Sequence, residues 1–163
     1  MKLVALSALL TVSAFCAVIY TSCKKDDCKD VVCNHGGTCS GGSCICPTGY
    51  EGTSCETRSF LGSWSGSDAC SVGGPYTITL TLANSSDSTQ ILITNPGGFG
   101  TAVTIAGTLS TDGKTITYTN KAVSSAVTIS GTLTLSDKTH FTHAYSAVDA
   151  ATTTTCSGNY TKN

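Results

Sequence analysis

Charge is what this sequence has least of. Lysine, arginine, aspartate and glutamate make up only 12% of the 163 residues, and the formal net charge is −1. There is no basic surplus to attract nucleic acid or an acidic partner, so no nucleic-acid role is expected. Helical periodicity is also missing: beyond Tyr20 no stretch repeats its apolar residues every three to four positions. Catalytic constellations are thin as well. Asp68, Asp87, Asp112, Asp137 and Asp149 fall mostly in turn segments and do not form the facing pair that glycoside chemistry requires. The stretch NPGGFG (95–100) lacks the lysine and following helix of a phosphate loop and reads as a hairpin turn. No activated serine or thiol is identifiable. These absences argue against an enzyme, and no cofactor or metal is expected.

Threonine, serine and glycine are abundant, which suits exposed β structure, because the branched threonine side chain fits a pleated surface. Cysteine is the other surplus, with ten residues. In a cytosolic chain that number suggests zinc, and in an exported chain a disulfide framework. The N-terminus favours export. Lys2 supplies a positive charge, and Leu3 to Tyr20 is an uncharged, mostly apolar run. That pattern reads as a signal peptide over 1–22. The competing reading is a retained membrane helix, since a run of this length only just spans a hydrocarbon core of about 30 Å.

The residues that follow, YTSC, resemble a bacterial lipobox, with Thr21 and Ser22 as the small residues before Cys23. Cys16 fits worse, because bulky Phe15 precedes it. The resemblance implies a lipid on Cys23 and a short tether over 23–27. Acyl chains contribute about 0.8 kcal/mol per buried CH₂, enough in combination to hold a folded domain at a membrane. The segment CKKDD is similar to the lysine-then-acidic address of surface-exported lipoproteins of Bacteroidota. The expectation is an exported chain, lipid-anchored at the outer membrane on its periplasmic or its cell-surface side, with the membrane as its first partner.

From Cys28 to Cys55 the spacing is C-x4-C-x5-C-x4-C-x-C-x8-C, with NHGGTC before the third cysteine and CPTGYEGTSC at the end. This stretch resembles an epidermal-growth-factor-like domain, taken as 28–56. Six cysteines alone allow fifteen connectivities. The resemblance implies Cys28–Cys39, Cys33–Cys44 and Cys46–Cys55. A segment this short cannot bury enough apolar surface to fold unaided and needs such bridges. The SGGS that follows Cys39 offers no carboxylate or amide, so a calcium site is not expected. His35, in a glycine-rich turn, reads as an ordinary exposed histidine.

After Glu56–Ser59 the texture changes to strict alternation. PYTITLTLA places Tyr76, Ile78, Leu80 and Leu82 on one face and threonines on the other, and later runs repeat the pattern. Strands are expected near 61–69, 75–83, 89–94, 101–109, 114–119, 124–135, 139–148 and 153–161. Short breakers between them make sequence neighbours pair as hairpins. The fold class is all-β: an eight-stranded antiparallel up-and-down barrel over 60–163, with a sandwich as second choice. If Cys70 at the end of the first strand pairs with Cys156 in the last, those strands are adjacent, as closure requires. Gly62-Ser63-Trp64 resembles the Gly-x-Trp motif of lipocalin-like barrels, and the likeness implies that Trp64 plugs one end. Lys162 is the only basic residue placed to cover it.

An eight-stranded interior is filled by side chains or holds one small molecule. The large apolar residues of inward parity are expected to fill it, although Gly107 and Gly131, at the same parity, leave room. Asp68 and His143 share that parity and form a candidate polar pair. His140, three positions from His143, falls on the opposite face, so the two cannot chelate one metal. The expected role is a non-catalytic binding or adhesion module. Its ligand is a small apolar molecule, a glycan or a protein. The alternative is a structural envelope subunit with a filled barrel.

Overall fold

A computed structural model describes residues 27–150 and 152–163. The expected signal segment, Cys16 and the expected lipid site Cys23 lie outside the described residues. Four short strands come first: β1 (Thr38–Ser40), β2 (Ser43–Ile45), β3 (Tyr50–Glu51) and β4 (Thr57–Arg58). They form two two-stranded sheets, β1 with β2 and β3 with β4. Disulfides join Cys28 to Cys39, Cys33 to Cys44 and Cys46 to Cys55. Almost all of this module is solvent-exposed or half-buried, so covalent links replace a core.

The rest is a closed antiparallel barrel of eight strands. They are β5 (Gly62–Cys70), β6 (Tyr76–Asn84), β7 (Gln90–Thr94), β8 (Thr104–Leu109), β9 (Thr115–Ala122), β10 (Thr128–Leu135), β11 (His140–Val148) and β12 (Thr153–Lys162). Each strand pairs with its sequence neighbours, and β12 returns to β5, which removes the open edges a sandwich would leave. The closing ladder runs from Cys156 opposite Cys70 to Lys162 opposite Trp64. The Cys70–Cys156 disulfide locks its first rung. The thinnest seam lies between β8 and β9, where only Thr108↔Thr117 and Leu109↔Ile116 pair. A register shift between Ile129 and Gly131 and a left-handed Asn120 (φ 50°) bend β9 beside that seam.

Alternation sorts the side chains as the sequence implies. Ile78, Leu80, Leu82, Ile91, Ile93, Ile116, Ile129 and Leu133 are buried in one continuous core, while the intervening threonines are mostly exposed. Turn aspartates hold the loops. The carboxylates of Asp87, Asp112 and Asp137 accept from the backbone N–H two residues on, at 2.8, 3.1 and 2.7 Å.

The disulfide module sits on one end of the barrel. Lys162 Nζ donates to Glu51 Oε1 at 2.7 Å and to the Ser59 carbonyl at 3.1 Å. It also lies 5.6 Å from the centre of the Trp64 ring. Trp64 is fully buried and donates from Nε1 to the Phe60 carbonyl at 2.8 Å. Gly49 (φ 103°) passes so close to the 110–114 loop that a Cβ there would stand 2.7 Å from the Asp112 carbonyl oxygen. Glycine is therefore required at that contact.

The closing disulfide generates a prediction. Replacing Cys70 and Cys156 together by alanine frees a long loop in the unfolded chain and lowers stability by about 4 kcal/mol. Urea unfolding measures the loss. An unchanged midpoint contradicts the role given to the bond.

Candidate functional site

At the end of the barrel away from the disulfide module, the loops after β5, β7, β9 and β11 surround a cleft of about 460 Å³. Its walls include Val72, Tyr76, Ile78, Phe99, Val127 and Tyr145, with the Cys70–Cys156 bond among them. The NPGGFG segment is a short 3₁₀ turn, Pro96–Gly98, rather than a plain hairpin connection. Asn95 holds it by donating from Nδ2 to the Thr79 carbonyl at 2.9 Å and accepting from Gly100 N at 2.8 Å. The turn carries Gly97 over Tyr145 and Gly98 over Ile78. Val72, Tyr76, Phe99 and Val148 are exposed at this end, so the mouth has an apolar rim.

Beneath the mouth the interior is occupied. Gly107 and Gly131 do not leave room, contrary to the sequence expectation. A Cβ on Gly107 would meet Ile116 Cγ2 at 2.4 Å, and one on Gly131 would meet Tyr145 Cβ at 2.5 Å and the Tyr118 hydroxyl at 2.8 Å. Gly66 and Gly158 repeat the arrangement, with the Tyr160 ring 2.6 Å and Asp68 Oδ1 2.1 Å from a Cβ built at each. The space each glycine vacates is filled by a larger neighbour across the ladder.

Asp68 and His143 are both fully buried, on the inward face. They do not bond to each other among the described residues. The register explains why: Asp68 and His143 both pair with Gly158, from opposite sides of β12. They stand two strands apart, about 10 Å at the backbone. Each is bonded to a tyrosine instead. Tyr160 Oη donates to Asp68 Oδ1 at 2.8 Å. Tyr118 Oη and His143 Nε2 share a bond of 2.6 Å. His143 stacks on Tyr145 with ring centres 4.6 Å apart, and Tyr145 reaches the mouth. Asp68 Oδ2 and His143 Nδ1 have no hydrogen-bond partner among the described residues.

Burial governs the protonation of this chain of groups. Desolvation raises the Asp68 carboxyl, and the Tyr160 and Tyr145 hydroxyls oppose that rise without cancelling it. Desolvation pushes His143 down to about 3, so the ring is neutral at physiological pH. Burial also raises Tyr118, Tyr145 and Tyr160, which stay protonated. Among the described residues no cluster of three or more His, Cys, Asp or Glu side chains could hold a metal. His140 is on the outside, bonded to Asp137 at 3.0 Å.

Parity located Asp68 and His143, but the mouth residues Val72 and Phe99 lie in breaker segments where periodicity is silent. Their signal was an apolar side chain inside a turn motif. No family model and no curated protein matches the chain. Among solved structures, a redesigned β-barrel, b11L5F_LGL, is similar at 14% identity with a TM-score of 0.44, over 64% of this chain and 92% of that one. The structure of EF1p2_mFAP2b bound to DFHBI is similar at 13% identity and a TM-score of 0.44, over 64% of this chain and 94% of that one. Likeness at this level says nothing of function.

The buried groups predict a pH profile. The unfolded chain protonates His143 near 6.5 and the folded chain only near 3. This residue therefore costs stability as pH falls from the first value toward the second, by up to about 1.4 kcal/mol per pH unit. Asp68 acts in the opposite sense. Its folded carboxyl keeps its proton above the ordinary 3.8, so its contribution is complete below that value and is lost as pH rises through the folded titration. Urea midpoints measured between about pH 4 and 7 should fall less steeply toward acid in His143→Gln and more steeply in Asp68→Asn. Curves parallel to the wild type contradict the assignment.

Proposed function

We propose that this chain is an exported, lipid-anchored binding module without catalytic activity, in which the disulfide module is an EGF-like stalk and the barrel is lipocalin-like and carries the ligand site at its mouth. One observation carries the reading: the cleft opens at the barrel end opposite the disulfide module, while at the near end Lys162 lies over the buried Trp64 ring. A chain tethered through Cys23 thereby turns its mouth away from the bilayer. The cleft falls within the size range of small-molecule sites, and its wall is mostly apolar with Tyr145 as a polar handle. The packed interior confines the ligand to the mouth.

A second reading has its own observation. The interior is filled, and the rim residues Phe99 and Val148 are exposed. Those features also suit a structural envelope subunit that presents an apolar patch to a protein partner and takes no small ligand.

A neutral fluorescent probe, 1-aminoanthracene, separates the two. Saturable enhancement that Val127→Trp abolishes supports the ligand site. Absence of saturable enhancement favours the structural subunit. Intact mass measurement of the chain purified from membranes tests the anchor: the expected product begins at Cys23 and carries acyl mass, and an unacylated Cys23 contradicts it.

A further inference from the structure

A second cleft, of about 430 Å³, lies where the disulfide module meets the barrel. We propose that it binds an uncharged saccharide. Its lining differs in kind from that of the mouth: His35, Glu56, Arg58, Asn84, Ser85 and Ser86 face it, and Leu61 is the only aliphatic side chain among its walls.

His35 supplies a flat face. It stacks on Tyr50 with ring centres 3.9 Å apart and planes 10° from parallel. Tyr50 is backed in turn by Gly113, where an added Cβ would stand 2.9 Å from Tyr50 Cε2. His35 is exposed and lines the cleft, so one face of its ring is supported and the other is open. Its Nδ1 lies 2.9 Å from the Cys55 carbonyl, which can only accept. Whenever the ring is neutral its proton is therefore on Nδ1, and Nε2 is left as an acceptor.

Arg58, the single arginine of the chain, is held in place before any ligand arrives. It donates from Nη1 to Asn84 Oδ1 at 3.4 Å and from Nη2 to the Ser88 carbonyl. The loop it grips is itself braced by Asp87, which accepts from Thr89 N at 2.8 Å and from Gln90 Nε2 at 2.9 Å. Glu56 stands in the same cleft, its Oε2 accepting from Ser54 N at 2.8 Å. Backbone hydrogen bonds hold its carboxyl below the usual range, so it is ionised at neutral pH.

The two charges narrow the ligand class. An anion meets Glu56, a cation meets Arg58, and an apolar molecule finds little surface to bury. A neutral polyol fits, because each hydroxyl both donates and accepts. It can take bonds from the serine hydroxyls and the guanidinium and give them to His35 Nε2 and the Glu56 carboxylate, with a sugar face on the imidazole. The site does not depend on the mouth cleft.

Saturation-transfer NMR on the full chain tests the assignment, with the methyl glycosides of glucose, galactose and mannose as neutral probes and glucuronate and glucosamine as charged ones. At least one neutral glycoside is expected to bind, with a dissociation constant on the order of 1 mM, and both charged sugars more weakly. His35→Ala and Ser86→Trp, both exposed positions, each weaken that binding about tenfold or more, whereas Val127→Trp at the mouth leaves it unchanged. Glu56→Gln admits glucuronate. Failure of all three neutral glycosides to bind overturns the proposal. So does binding that survives both cleft substitutions, or tighter binding of a charged sugar.

Discussion

Everything in the barrel rests on the ladder that closes it. The register between β5 and β12 places Cys70 against Cys156 at one end and Trp64 against Lys162 at the other. Between those rungs it sets Asp68 beside Gly158 and Gly66 beside Tyr160. A slip of one residue would turn every one of these side chains to the opposite face. The closed end, the mouth and the buried polar groups are thus consequences of one pairing. The disulfide module depends on it too, because Lys162 reaches Glu51 only from the last rung of β12.

Inside the barrel, large and small residues alternate along the rungs. Tyr118 and Tyr145 flank Gly131, His143 and Asp68 flank Gly158, and Tyr160 lies beside Gly66. Each glycine admits a side chain that would otherwise collide, and the result is a full interior that still carries polar atoms. Aromatic contacts join these rungs to the closed end, with Phe141 4.9 Å from Tyr160 and 4.7 Å from Trp64. Pairs of this kind contribute about 0.5–1.5 kcal/mol beyond the area they bury. The polar groups favour folding less, since Asp68 Oδ2 and His143 Nδ1 lack partners among the described residues.

The strands were legible because the period of two is written in the sequence. The run expected near 75–83 is Tyr76–Asn84 in the structure. The run expected near 124–135 begins only at Thr128, since Val123 and Val127 are tied as a turn by a 3.0 Å backbone bond. Parity also put Asp68 and His143 inside. It could not give their partners, because alternation fixes the face of a residue and says nothing of which residues share a rung two strands away. The same limit makes Gly107 and Gly131 look like space, although the large apolar residues of that parity already pointed to a filled interior. The His35–Tyr50 stack and the Arg58 grip were invisible for another reason: they arise where two modules meet, and no periodicity spans that junction.

The two ends of the closed barrel have opposite characters, and the β5–β12 register creates them. Cross-strand NOEs in the folded full chain report it directly. Contacts linking Asp68 with Gly158 and Gly66 with Tyr160, together with Lys162 side-chain protons to the Trp64 indole, are the predicted result. A spectrum in which Gly62–Cys70 shows contacts to Tyr76–Asn84 but none to Thr153–Lys162 would contradict the closure and everything built on it.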